Sequence, residues 1–108
     1  MPEFRVTPAP TFSATVRVHV PGNDTPTPLR VVMKYRKPAE FIEWGAASAK
    51  RPDTEVVPEV IVGWEEADFG VPFSPDALLE VIANWGPLFT GPVATTYAAE
   101  LGHARRGN

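Results

Sequence analysis

The chain contains no cysteine, which excludes disulfides, thiolate nucleophiles and Cys-based metal sites. Its only histidines are His19 and His103, far apart in sequence, and no carboxylate spacing predicts a metal site around either. No apolar run approaches the ~20 residues of a membrane span. The opening Met1-Pro2-Glu3-Phe4-Arg5 lacks the apolar core of a secretion signal. Phosphate-binding glycine loops, Walker patterns and nucleophile elbows are all missing. These absences lead to the expectation of a cytoplasmic protein that is not an enzyme, carries no cofactor or metal and inserts into no membrane.

A further absence is regional. Between Asp53 and Leu101 there is no basic residue at all. Residues 1–52 hold eight Lys/Arg against four Asp/Glu, and residues 53–108 hold two against nine. One reading is two solvated faces of opposite sign. The other is an acidic surface that repels nucleic acid and attracts a basic partner.

What is present describes one domain. A length of 108 residues suffices for a single modest core. Thirteen prolines punctuate it and favour short elements. Residues 1–10 read as a loose arm. Phe12, Ala14, Val16, Val18 and Val20 then alternate with Ser13, Thr15, Arg17 and His19, the period of a half-buried strand. A Pro/Gly/Asn loop follows, then a second alternation, with Leu29, Val31, Met33 and Tyr35 opposed to Arg30, Val32, Lys34 and Arg36. The two make an antiparallel hairpin over 12–36 whose apolar face needs a cover, because a bare hairpin is marginal in water. Arg17, Arg30, Lys34, Arg36 and Lys37 fall on its other side. With few aromatics among them, a solvated sheet face explains them better than a nucleic-acid surface.

The cover is expected from helices at 38–101. A segment at 38–50 carries Phe41, Ile42 and Gly45 as its apolar stripe, flanked by Trp44. Residues 54–63 are ambiguous. Their valines suit a strand, but Val57, Val60, Ile61 and Trp64 fall at i, i+3, i+4 and i+7, and Asp53 can cap a helix. A short helix is preferred and the strand reading stays open. A helix at 75–84 turns Leu78, Leu79 and Ile82 inward. The last helix, 88–101, repeats Phe89, Val93, Tyr97 and Leu101 on one face. Residues 102–108 read as a basic, mobile tail. The fold class is therefore α+β: an N-terminal antiparallel β-hairpin packed on a small bundle of three to four α-helices.

One stretch organises the chain: Val62-Gly63-Trp64-Glu65-Glu66-Ala67-Asp68-Phe69-Gly70-Val71-Pro72-Phe73-Ser74-Pro75-Asp76. Ser74 is a helix N-cap, since its hydroxyl can accept from a free first-turn N–H. Pro75 fits the first helical position, where no N–H is needed. Asp76 sets negative charge at the positive end of the helix dipole. Trp64, Ser74 and Pro75 are thus a structural joint. Glu65, Glu66 and Asp68 superficially suit paired-carboxylate hydrolysis, but no base or nucleophile accompanies them. Phe69 and Phe73 sit in the turn beside these acids, so the five residues are expected to form a partly exposed protein-binding edge.

The same stretch, with Val71-Pro72-Phe73-Ser74 and Ala77-Leu78, resembles the tail assembly chaperones of long-tailed phages and prophages. Trp85-Gly86-Pro87 fills the place of that family's second break, and Tyr97-Ala98-Ala99-Glu100-Leu101 that of its final aromatic-x-x-x-Leu helix end. The resemblance covers 55–101 well and 38–50 loosely. Phe69-Gly70 lengthens the turn and Pro92 interrupts the last helix. The resemblance implies a non-enzymatic protein that binds the tape-measure protein, and possibly the tail tube protein, and keeps the former soluble during tail assembly. It also implies a longer frameshifted product. Self-association as a homo-oligomer is a separate expectation. The alternatives are a structural tail or virion component and a small acidic protein-binding adaptor.

Overall fold

The computed structural model describes residues 4–102. The basic tail expected at the C-terminus lies, apart from Gly102, outside the described residues. Strands β1 (Thr11–Val18) and β2 (Thr27–Lys34) form the expected hairpin. Their antiparallel register pairs Thr11 with Lys34 and Val18 with Thr27. Alternation puts Ala14, Val16 and Val18 of β1 and Val31 and Met33 of β2 into the core.

The hairpin is joined by a third strand, and this corrects the expectation at 54–63. The segment begins as a helical turn, α2 (Asp53–Val56), tightens into a 3₁₀ turn at Val57–Glu59, and then becomes strand β3 (Ile61–Trp64). Asp53 supplies no side-chain cap. β3 pairs antiparallel with β2, giving the sheet order β1-β2-β3. The register slips between Val32 and Met33, so that Val31 faces Trp64, Val32 faces Gly63 and Met33 faces Ile61. Val62 is the extra residue. In an unbroken strand Ile61 and Trp64 would point to opposite faces. The bulge resets the alternation, so both enter the core. All four residues that mimicked a helix stripe, Val57, Val60, Ile61 and Trp64, are buried.

Helices cover one face of the sheet. They are α1 (Pro38–Ser48), a single turn α3 (Glu66–Phe69), α4 (Pro75–Trp85) and α5 (Pro87–Glu100). α5 lies against β1 and beside α4. Phe89, Val93 and Tyr97 are buried along it as the four-residue spacing required, and Leu101 packs against the core. Gly86 separates α4 from α5 with φ 55° and ψ −135°, a backbone conformation open essentially to glycine. Two side chains expected inward point outward. Leu79 is 40% exposed and Ile42 is 63% exposed.

α1 is held by aromatics and a buried cation. Tyr97 is the hub. Its ring stacks with Phe12 at 6.4 Å between centroids and meets Phe41 and Trp44 edge-on at 5.6 and 5.8 Å. Its hydroxyl donates to the Lys34 carbonyl at 2.7 Å and accepts from Arg36 Nη1 at 2.9 Å. Arg36 was expected on the solvated side of the hairpin. It is buried instead, because β2 ends at Lys34 and the strand alternation no longer governs it. Its guanidinium also donates to the Glu59 carbonyl at 2.9 Å and lies 4.3 Å from the Trp44 ring centroid. Glu59 in turn accepts from Trp44 Nε1 at 2.8 Å and from Arg51 Nη2 at 2.7 Å.

Tyr97→Phe keeps the ring contacts and removes the hydroxyl that serves Arg36 and Lys34. It is expected to cost about 1–3 kcal/mol, because buried polar groups lose a partner. Arg17→Ala, on the open sheet face, is expected within about 0.5 kcal/mol of the parent. Urea unfolding of the two variants checks both.

Candidate protein-binding site

Trp64 ends β3 on the core side, and the turn after it folds back over its ring. Phe69 stacks on Trp64 at 3.9 Å with the planes 6° apart. Phe73 meets the ring edge-on at 5.1 Å, and Phe69 in turn meets Phe89 of α5 at 6.4 Å. Trp64 Nε1 donates to the Val71 carbonyl at 2.9 Å, fixing the return of the loop. Aromatic pairs of these geometries each contribute about 0.5–1.5 kcal/mol beyond burial.

Local chemistry explains each piece of the turn. Glu65 N–H donates to the Arg30 carbonyl, so the chain leaves β3 still tied to β2. Gly70 closes α3 at φ 82°, the left-handed position suited to glycine. Ser74 Oγ accepts from Ala77 N–H at 3.0 Å and Pro75 opens α4, as the sequence required.

The acids divide. Asp68 is not a solvated turn residue. Its Oδ2 accepts from the Arg30 N–H at 2.8 Å and from Arg30 Nε at 2.9 Å, and its Oδ1 accepts from Arg30 Nη2 at 3.0 Å. The Arg30 side-chain hydrogen bonds and the backbone donor hold its carboxyl down at about 2, below the ordinary 3.8. Glu65 and Glu66 are exposed. Phe69 and Phe73 are half-buried, each packed against the Trp64 ring. Of the five residues expected at the edge, Glu65 and Glu66 are exposed, and Asp68, Phe69 and Phe73 are partly buried.

Beside the joint, at the loop end of the hairpin, lies a cleft of about 220 Å³. Its apolar wall is made by Val18, Leu29, Phe69, Val81, Trp85 and Phe89. Trp85, 37% exposed, forms the rim. Leu79 and Leu88 are exposed on the same two helices. The cleft was not legible in sequence, because it is built from five separated elements. Trp85 falls at i+7 from Leu78 and i+3 from Ile82, on the core side of α4, so the sequence carries no separate mark of the cleft. Among the described residues no group of three or more His, Asp or Glu converges to hold a metal. Among them too, no helix is long and apolar enough to cross a membrane. Comparison with models of known families, with curated proteins and with solved structures finds no match for this chain.

Trp64→Ala is expected to cost about 3–5 kcal/mol, as a large-to-small change in a packed site. Phe69→Asp should unfold the joint as well, since it sets a charge against the Trp64 ring, whereas Glu66→Ala should be near neutral. Thermal unfolding separates these outcomes. Asp68 has a folded-state value below its ordinary one, so its stabilisation is present above 3.8 and is lost as pH falls towards about 2. The stability gap between the parent and Asp68→Asn, followed by denaturation against pH, is expected to be constant near neutrality and to close across that window.

Proposed function

We propose that this chain is a non-enzymatic binding protein of the phage tail assembly chaperone kind, which holds an apolar segment of the tape-measure protein in the cleft beside Trp85. The observation that carries the reading is the cleft itself: an apolar recess of about 220 Å³ with an exposed tryptophan on its rim. Partly exposed aromatics beside a recess are the usual anchors of protein recognition. An apolar recess of this kind suits one face of an amphipathic helix laid against it.

The charge pattern supports the same reading. The elements from α2 to α5 contain acids and no basic residue, so the surroundings of the cleft favour a segment flanked by Lys or Arg. The resemblance over 55–101 contributes the identity of the partner. Its central residues, Trp64 to Pro75, shape the wall of the cleft through Phe69 rather than contacting the partner as an exposed edge. Excess negative charge keeps such a complex soluble. Host-cell cytoplasm is the compartment this role requires.

Co-expression with the neighbouring gene for the longest helical protein, followed by size-exclusion chromatography, tests the proposal. The long protein should become soluble only with this chain, and the two should co-elute. Trp85→Glu should abolish co-elution while shifting stability by less than about 1 kcal/mol, because the side chain lies on the rim. Co-elution unchanged by Trp85→Glu would remove the cleft from the argument. A long protein that stays insoluble beside the parent chain would remove the function.

A further inference from the structure

The sheet has two outer edges, and they are treated differently. β3 is four residues long and bulged at Val62, and α3 follows it directly. Short length and a bulge are ordinary ways of blunting an edge against further pairing. β1 is eight residues long, without proline and without a bulge. Among the described residues no strand lies outside it.

The direction of its free groups follows from the ladder. The Arg30 carbonyl accepts from Glu65 N–H and the Lys34 N–H donates to the Val60 carbonyl, so these β2 residues face β3. Tyr35 N–H donates to the Pro10 carbonyl on the other side. Alternation in an antiparallel pair then turns the backbones of Phe12, Ala14 and Val16 towards β2, and those of Ser13, Thr15 and Arg17 outward. Along this edge runs a shallow groove between the strand and the flank of α5, lined by Thr15, Arg17, Gly91, Pro92, Thr95 and Thr96. The α5 residues there are small, which leaves room for one extended chain.

The arm at residues 4–10 has the matching pattern. Phe4 and Val6 are 100% and 99% exposed. Phe4, Val6, Pro8 and Pro10 occupy the even positions, and Arg5, Thr7 and Ala9 the odd ones. The arm bends at Val6, Thr7 and Pro10 in the single copy; straightened in line with β1, its odd residues would turn their N–H and C=O groups outward, in the same phase as Ser13, Thr15 and Arg17. The prolines fall only at positions that need not donate across that edge. They also block the far side of the arm against another strand. The even side chains would meet the face of Ala14, Val16 and Val18, under α5.

The arm is barred from closing tightly on its own strand. A two-residue return at Pro8-Ala9 needs positive φ at its first position, and a three-residue return over 8–10 ends in a left-handed residue. Proline is locked near −65° and fits neither.

We infer that this chain forms a twofold homodimer by arm exchange, in which residues 4–10 of each copy add as an antiparallel strand to the free edge of β1 in the other. Odd residues pair with odd across the new ladder. Phe4 and Val6 leave water for the groove beneath α5. Because each arm, rather than each β1, lies on the opposing β1, the two α5 helices are offset along the strand direction and do not collide.

The test uses the purified full chain without any partner protein, so it stands apart from the test of tape-measure binding. Sedimentation equilibrium gives the mass, and amide hydrogen exchange reads Thr15 and Arg17. The expected result is a dimer in which these two amides exchange at least tenfold more slowly than in the dilute monomer. Val6→Asp, a position fully exposed in the single copy, should leave monomer unfolding unchanged. It should weaken dimerisation at least tenfold and release both amides. A parent chain that is monomeric at every concentration overturns the inference. So does a dimer with freely exchanging Thr15 and Arg17 amides, and so does dimerisation unaffected by Val6→Asp.

Discussion

Val62 is one residue more than β3 needs to pair with β2, and the arrangement of the core follows from that surplus. With the bulge, Ile61 and Trp64 both face inward; without it, one of them would be driven to the solvent face. Trp64 then stands where Phe69 can stack on it and Phe73 can close its edge. Those contacts place the start of α4, and Gly86 sends α5 back across β1. The position of the helical layer on the sheet thus depends on a local irregularity in its shortest strand.

Two polar clusters tie separate elements together around the apolar core. Arg30 and Asp68 pin the turn after β3 to β2 through three hydrogen bonds. Arg36, Tyr97 and Glu59 join the end of β2, the last helix and the 3₁₀ turn. Among the described residues, no buried side-chain nitrogen or oxygen lacks a hydrogen-bond partner. That satisfaction makes the buried Arg36 tolerable, since an unpaired buried charge carries a large desolvation cost.

The functional proposal shifts weight within the Trp64 stretch. Its aromatics are consumed by the joint, and what they leave for a partner is the apolar wall beside them. On the proposed function, the chain would present a recess on a rigid frame rather than a mobile aromatic edge. The free β1 edge is a separate surface on the opposite side of the sheet order from the bulged β3.

Much of the fold was readable in sequence where a single periodicity governed one element. The β-alternation of 12–18 and 29–33, the Ser74-Pro75 helix start and the Phe89-Val93-Tyr97 stripe are local patterns, and local sterics and capping suffice to impose them. Residues 54–63 are ambiguous in sequence because a helical turn followed by a bulged strand buries the same four positions as a continuous helix. Composition determined the absence of disulfides and the split of charge, since these need no coordinates. Only the tertiary structure decided that Arg36 turns inward, that Asp68 belongs to Arg30, and that Trp85 rims a cleft. Each of these depends on groups far apart in the chain, and their proximity is set by strand register and helix packing, not by spacing along the sequence.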